Sequence, residues 1–395
     1  MDKATFYFDF NATTPVDREV LQIMLPYFSG NFGNPSSFHQ SGVSASAALR
    51  EARKQVALLL GAAEDSEIIF TSGGTESNNM AIFSALRTTG KTRIVTTSVE
   101  HSSIRKLCKQ LEKDGFEIVE LPVKSSGMLD LENLDSVLSD QTALVSVMAA
   151  NNETGVVFPI QEIGFKLRER GILFHVDAVQ AVGKIPFDLK NTPVDFLSLS
   201  AHKFYGPKGV GALYARKGAR FQPFIFGGSQ ERGRRAGTEN VPGIAGLGAA
   251  CRILFAKMSS EIERVRALRD SFESIVMEEI PGTIINGASV RRIPNTSSLR
   301  FEGVDSEALL ICLDRSGIFA SSGSACMSGS REPSHVLKAM ALSDEEANMA
   351  VRFSFGRYTT RDEIGVLIAA LSENIARLRS LDASGAHRHE TVVNS

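Results

Sequence analysis

Seven short apolar runs, often rich in β-branched residues, recur over the first two thirds of the chain, with amphipathic segments between most of them. They are "EIIFTS" (67–72), "RIVTTS" (93–98), "FEIVELPV" (116–123), "ALVSVMAAN" (143–151), "ILFHVDA" (172–178), "DFLSLSAH" (195–202) and "VGALYAR" (210–216). Several are apolar almost throughout, the pattern of strands covered on both faces. Among the intervening segments, "SASAALREARKQVALLLG" sets Ala45, Leu49, Ala52, Val56 and Leu59 on one side and stops at Gly61, as an amphipathic helix does. The alternation predicts an α/β fold built on a mixed, mostly parallel seven-stranded sheet covered by helices. Only the short "KFYGPKG" separates the last two runs, so that pair is expected to be antiparallel.

Near residue 258 the rhythm changes. "SSEIERVRALRDSFESIVMEEIPG" reads as a long helix with Ile262, Val265, Leu268, Phe272 and Ile275 inward, followed by strand-like "GTIING", "NTSSLRFEG", "GIFASSG" and "AVRFSFG" and a closing helix at "RDEIGVLIAALSENIARLRSL". A chain of 395 residues exceeds one simple core. We therefore expect a large domain over 15–258, a smaller α+β domain from 1–14 and 259–380, and a loose polar tail over 381–395.

A formal net charge of −2 lacks the basic excess of a nucleic-acid or anionic-membrane surface. No unbroken apolar run approaches the ~20 residues of a membrane span, and the N-terminus lacks a signal peptide's apolar core, so a cytoplasmic address is expected. The four cysteines show no CxxC pairing, which argues against a structural zinc site, and no metal is expected. Cys108, Cys251 and Cys312 sit among apolar residues at helical spacing and read as small buried hydrophobes. Cys326, in "SSGSACMSGS", has only small neighbours and no apolar face to bury it.

In a sheet of this kind ligands bind at the carboxyl ends of the strands. "EIIFTS" runs into "GGTESNN", where Gly74 and Thr75 open a helix whose free N–H groups suit a phosphate, though Gly-Gly-Thr is also ordinary helix-entry chemistry. "HVDAVQ" ends a strand with Asp177 and Gln180; the carboxylate either caps the next helix or holds a protonated ring nitrogen. Lys203 follows an apolar strand, beside Ser200 and His202, where desolvation favours the amine that forms Schiff bases. His101 and Asn152 follow two further strands. His101 is either a satisfied structural histidine or a proton carrier stacked on a ring, and Asn152 is a donor able to reach a ring oxygen or a substrate carboxylate. Arg352, in the apolar "AVRFSFG", needs an anion, and its planar fork suits a carboxylate. A phosphate cradle, an acid for a pyridinium and a Schiff-base lysine together describe a site for pyridoxal 5'-phosphate.

The segments "DFNATTP", "NFGNPSS", "TSGGTESNN", "VEHSS", "ANNETG", "HVDAVQAVGK", "SAHKFYGPKG", "GRRAGTENV", "SSGSACMSGS" and "VRFSFGRYTT" closely resemble the cysteine desulfurase family, and the nitrogen-fixation, iron–sulfur assembly type in particular. The resemblance runs from residue 6 to about 380. It implies the fold type I architecture of pyridoxal phosphate enzymes and a homodimer acting on L-cysteine. By that resemblance Lys203 bears the cofactor, Asp177 holds its ring nitrogen and Gln180 its ring hydroxyl. Gly74, Thr75, Ser200 and His202 hold the phosphate, with Thr238 reaching over from the second subunit. His101 stacks and moves protons, Asn152 and Arg352 orient the substrate, and Cys326 takes the sulfur as a persulfide destined for an iron–sulfur scaffold protein. Phe10 and Met327 depart from the residues common at their positions. A selenocysteine lyase or another fold type I enzyme, and a sulfur-carrier or scaffold protein with a vestigial pocket, are the alternatives.

Overall fold

The computed structural model describes residues 4–323 and 332–393, with side chains described as far as Leu381. Twelve strands are assigned among them: β1 (Phe6–Tyr7), β2 (Ile68–Thr71), β3 (Arg93–Thr97), β4 (Glu117–Leu121), β5 (Thr142–Met148), β6 (Leu173–Asp177), β7 (Phe196–Ser200), β8 (Gly211–Ala215), β9 (Thr283–Ile285), β10 (Thr296–Phe301), β11 (Ile318–Phe319) and β12 (Ala350–Ser354).

The seven expected runs form one sheet in the order β2-β8-β7-β6-β5-β3-β4. Pairing is parallel from β7 through β6, β5 and β3 to β4, and β8 alone runs antiparallel to its two neighbours, β7 and β2. The reversal follows from the short link between β7 and β8, which leaves no room for a crossover. β2, β5, β7 and β8 are buried along their whole length, as strands covered on both faces must be.

Two apolar cores flank this sheet. One contains Ile82, Ala85 and Leu86 of the helix Gly74–Thr89 and Ile104, Cys108 and Leu111 of the helix Ser102–Lys113. The other takes Leu49, Ala52 and Val56 from the helix Gln40–Leu60, which ends where Gly61 adopts the left-handed conformation. A third core lies around Phe272, Phe301 and Phe353, against the small antiparallel sheet β12-β10-β9. β1 returns from the N-terminus to pair in parallel with β11.

Two features differ from the sequence expectation. The helix expected to begin near residue 259 starts at Val241 and continues unbroken to Glu279, because residues 249–279 contain neither glycine nor proline to stop it. Its first half enters the large core through Leu247 and Leu254, its second half the small one through Val265 and Phe272. Among the described residues it is the one helix long and apolar enough to cross a membrane, and 67% of its most apolar stretch is buried within the protein. Arg252 and Lys257 interrupt it, so it holds no long unbroken apolar run. The final helix, Arg361–Val393, extends past residue 380, where a loose tail was expected. Residues 381–393 hold no proline and a single glycine, Gly385, so little in them opposes helix.

Candidate active site

Because every strand of the main sheet but β8 shares one direction, the carboxyl ends of β2, β3, β5, β6 and β7 meet at one rim. After β2, Gly73 takes φ 153°, ψ −176° and caps the helix Gly74–Thr89, a backbone conformation open essentially to glycine alone. A Cβ on Gly74 would stand 2.6 Å from Val179 Cγ2, and one on Gly211 2.7 Å from Gly73 Cα. The turn is therefore closely packed, and the helix's first N–H groups are left for an anion.

A cavity of about 270 Å³ opens beside this turn. Gly74, Thr75, Ser200 and His202 line one end, while His101, Asn152, Asp177, Gln180 and Lys203 line the remainder. Lys203 ends the short turn Ala201–Lys203 after β7, and its Nζ donates to the carbonyls of Asn11 at 2.6 Å and Ala12 at 2.9 Å. Burial, together with Lys203 and Lys208, pushes the His202 imidazole down to about 4, so the ring is neutral at pH 7.

Asp177 is the last residue of β6 and is buried. Oδ1 accepts from the Val179 N–H at 3.0 Å and Oδ2 from Asn78 Nδ2 at 2.7 Å. It thus fixes the turn immediately after β6, and no helix is there to cap. Asn78 gives its other N–H to Ser103 Oγ at 2.9 Å, and Ser103 Oγ lies 2.9 Å from His101 Nδ1. His101 is the N-cap of the helix Ser102–Lys113, and its Nδ1 also accepts from the Ser103 backbone N–H at 3.2 Å. An Nδ1 that accepts leaves the proton of the neutral ring on Nε2.

Beside it Glu100 is fully buried, with Oε1 accepting from Thr97 Oγ1 and the Met148 N–H, both at 2.8 Å. Burial raises its carboxyl to about 8, aided by the negative charge of Asp177 and opposed by the Met148 N–H. A protonated Glu100 leaves the rim's negative charge to Asp177.

The anion that Arg352 needs is within the protein. Its guanidinium meets Asp9 Oδ1 at 2.5 Å and donates to the Asn152 carbonyl at 3.0 Å, while Nε is buried without a hydrogen-bond partner. Arg352 therefore sits behind Asn152 and does not line the cavity. Thr238 is exposed and lines no part of it either. Cys326 and Met327 lie outside the described residues. Cys108, Cys251 and Cys312 are buried and unpaired, as expected.

Residues 6–367 match the family model of class-V aminotransferases. The chain belongs to that family. It is 50% identical over 379 residues to a cysteine desulfurase of Nostoc sp. (strain PCC 7120 / SAG 25.82 / UTEX 2576), covering 96% of this chain and 94% of that protein. The figures are the same for the cysteine desulfurase NifS of Azotobacter vinelandii. Among solved structures, a NifS-like protein superposes with a TM-score of 0.88 at 39% identity, over 94% of this chain and all of that one. SspA in complex with cysteine gives 0.79 at 37% identity, over 90% of this chain and 100% of that one. The chain is a cysteine desulfurase, and its fold is the fold type I architecture expected. Cysteine desulfurases depend on pyridoxal phosphate and act on L-cysteine.

The cavity fits that cofactor in shape and donor chemistry. Its lining brings together a helix start suited to an anion, a buried carboxylate that accepts from the Asn78 side chain, and Lys203. Sequence reasoning missed Asn78, Ser103, Glu100 and Asn11. Asn78 carried a signal: it follows Gly74 by four residues in a helix and so shares its face. Asn11 carried only its place in "DFNATTP", since the return of the N-terminal segment is what brings it to Gln180 and Lys203.

Proposed function

We propose that this chain is a pyridoxal-phosphate-dependent desulfurase that passes the sulfur of L-cysteine to Cys326. The convergence of Lys203, Asp177 and the Gly74–Thr75 helix start on one cavity carries the reading. Once bound, the cofactor supplies an electron-withdrawing ring that weakens bonds at the substrate's α-carbon and then its β-carbon. Gly74, Thr75, Ser200 and His202 hold the phosphate, with Thr238 of a second subunit completing that end. With the cofactor bound, Asp177 would keep the ring nitrogen protonated, Gln180 would donate to the ring oxygen, and Lys203 would hold the cofactor and take the α-proton. His101, with its proton on Nε2, would lie against the ring and return protons. Asn152 and Arg352 orient the amino acid, Arg352 by its carboxylate, for which Asp9 holds the guanidinium ready.

The Cys326 thiolate attacks the substrate sulfur. The new S–S bond forms as the carbon–sulfur bond breaks, and the three-carbon remainder takes up protons and leaves as alanine, so that cysteine plus thiol gives alanine plus persulfide. A homodimer, a cytoplasmic location and an iron–sulfur scaffold protein as acceptor complete the proposal. Exposed Phe28, Phe32, Phe38 and Phe226 support the dimer, as large apolar side chains that a second subunit would cover.

The test is alanine and sulfide release from L-cysteine with a thiol reductant, for wild type and Cys326→Ala. Equimolar products from wild type, lost in the variant while the cofactor's visible band persists, support the reading. Full activity in the variant removes Cys326 as nucleophile and favours a lyase. Wild type with neither product nor band leaves a carrier.

A further inference from the structure

A second lysine reaches the cofactor-side network. Lys184, in the turn after β6, donates from Nζ to Gln180 Oε1 at 2.7 Å and to Asn11 Oδ1 at 3.0 Å. Gln180 in turn donates from Nε2 to the Asn11 carbonyl at 2.8 Å. A primary amide presents either its oxygen or its nitrogen to a neighbour, and the Lys184 Nζ, which donates to two acceptors, selects the oxygen. Asn11 cannot turn to compensate. Its Nδ2 is committed to the Asn152 carbonyl at 3.1 Å and Thr296 Oγ1 at 2.8 Å, and Asn295 also donates to its Oδ1 at 3.0 Å.

From this geometry, and resting on the function proposed above, we infer that Lys184 is a positioning residue that locks the Gln180 amide with its nitrogen available to the cofactor's ring oxygen. Gln180 lines the cavity, and of the two hydrogens on Nε2 the Asn11 carbonyl takes one, leaving one to donate. With the amide turned over, its oxygen would instead oppose an ionised ring oxygen. Lys203, in the turn after β7, and Arg352, of β12, are cations that together with burial disfavour the charge on Lys184. Glu261 of the helix Val241–Glu279 and Arg357 after β12 line a small cavity that Lys184 also borders. The two amide oxygens are what receive its protons.

The experiment titrates the visible absorbance of the holoenzyme against pH, and measures the equilibrium release of pyridoxal phosphate, for wild type, Lys184→Met, Lys184→Arg, Gln180→Leu and the Lys184→Met/Gln180→Leu pair. A hydrogen bond donated to the ionised ring oxygen favours that form, so its loss moves the midpoint upward, by about one pH unit. Cofactor affinity falls about tenfold alongside it. Lys184→Arg, still a donor only, keeps the wild-type midpoint. In the Gln180→Leu background Lys184→Met adds no further shift. If Lys184→Met does not fold, Lys184→Gln, which can accept as well as donate, is read by the same shift. An unchanged midpoint overturns the inference. So does an equal shift in the Gln180→Leu background, which would mean that the lysine acts by charge alone. A wild type with no visible band overturns the proposed function and this inference with it, an outcome distinct from either.

Discussion

Asn78 Nδ2 lies 2.7 Å from Asp177 Oδ2, inside the protein, and joins the carboxylate through Ser103 to His101. The helix after β2 thus supplies both the anion-binding start that lines the cavity and a donor to its buried carboxylate. Asn78→Ala removes a donor from a buried carboxylate, which costs about 1–3 kcal/mol. We expect about tenfold weaker pyridoxal phosphate binding and a lower Tm, read by equilibrium cofactor release and thermal melts. Asn78→Asp, which sets a second carboxyl against Asp177, is expected to be worse on both counts.

Arg352 and Asp9 form an ion pair in which the arginine is almost wholly buried. Breaking such a pair from one side costs about 3–5 kcal/mol, so Arg352→Ala should lower Tm sharply. Arg352→Lys keeps the charge but loses the planar fork. It should raise KM for L-cysteine at least about tenfold by the loss of bidentate capture, with the cofactor's absorbance unchanged. Steady-state alanine formation over a range of cysteine concentrations decides it, and an unaltered KM would remove Arg352 from substrate binding.

His175 lies within the sheet, with Nδ1 2.8 Å from Ser146 Oγ and Nε2 2.9 Å from Ser198 Oγ, linking β5, β6 and β7. Burial pushes its imidazole down to about 3, while in the unfolded chain it titrates near the usual ~6.5. The unfolded state therefore binds the proton more readily. The stability this group contributes is complete above about pH 6.5 and is lost as pH falls towards 3. His202 and His335, each pushed down to about 4 by burial, act in the same direction. Melts between pH 7.5 and 5 should show Tm falling with acid, and His175→Gln should lower Tm at pH 7.5 while flattening that slope.

Glu153 is buried against Gly323 and Ser334. Its Oε2 accepts from Ser334 Oγ at 2.5 Å, and it leaves no room for a Cβ on Gly323. Burial raises its carboxyl above the usual value, and Glu153→Gln, which keeps an acceptor for Ser334, should lie closer to wild type than Glu153→Ala. Glu153→Ala should lower Tm and slow alanine release, because Gly323 and Ser334 flank the sequence that carries Cys326. The visible band of the bound cofactor should be unaffected by either change. A shifted band in Glu153→Ala would place the effect in the cofactor site instead.

The seven strands of the main sheet were legible because each is a short apolar run, and a strand buried on both faces can hardly be written otherwise. Asp177, Ser200, His202 and Lys203 were legible as the polar residues at their ends, and Gly74 as the helix start after β2, where this architecture collects ligands. The continuous helix Val241–Glu279 was not, since its two halves satisfy different cores and its apolar pattern changes between them. Nor was the partner of Arg352, because no local pattern links "AVRFSFG" to an aspartate 343 residues away.

Sequence by itself determined the local commitments: where strands run and stop, which turns require glycine, and which chemically distinctive side chain follows each strand. These depend on neighbours within a few residues, where periodicity and backbone sterics act. The tertiary structure alone decided the hydrogen-bond networks that make those side chains a site. Asn11 reaches Lys203 across 192 residues and Asn78 reaches Asp177 across 99. Such contacts exist only after the fold has brought the chain back on itself, and a buried polar group accepts whichever partner that packing brings within about 3 Å.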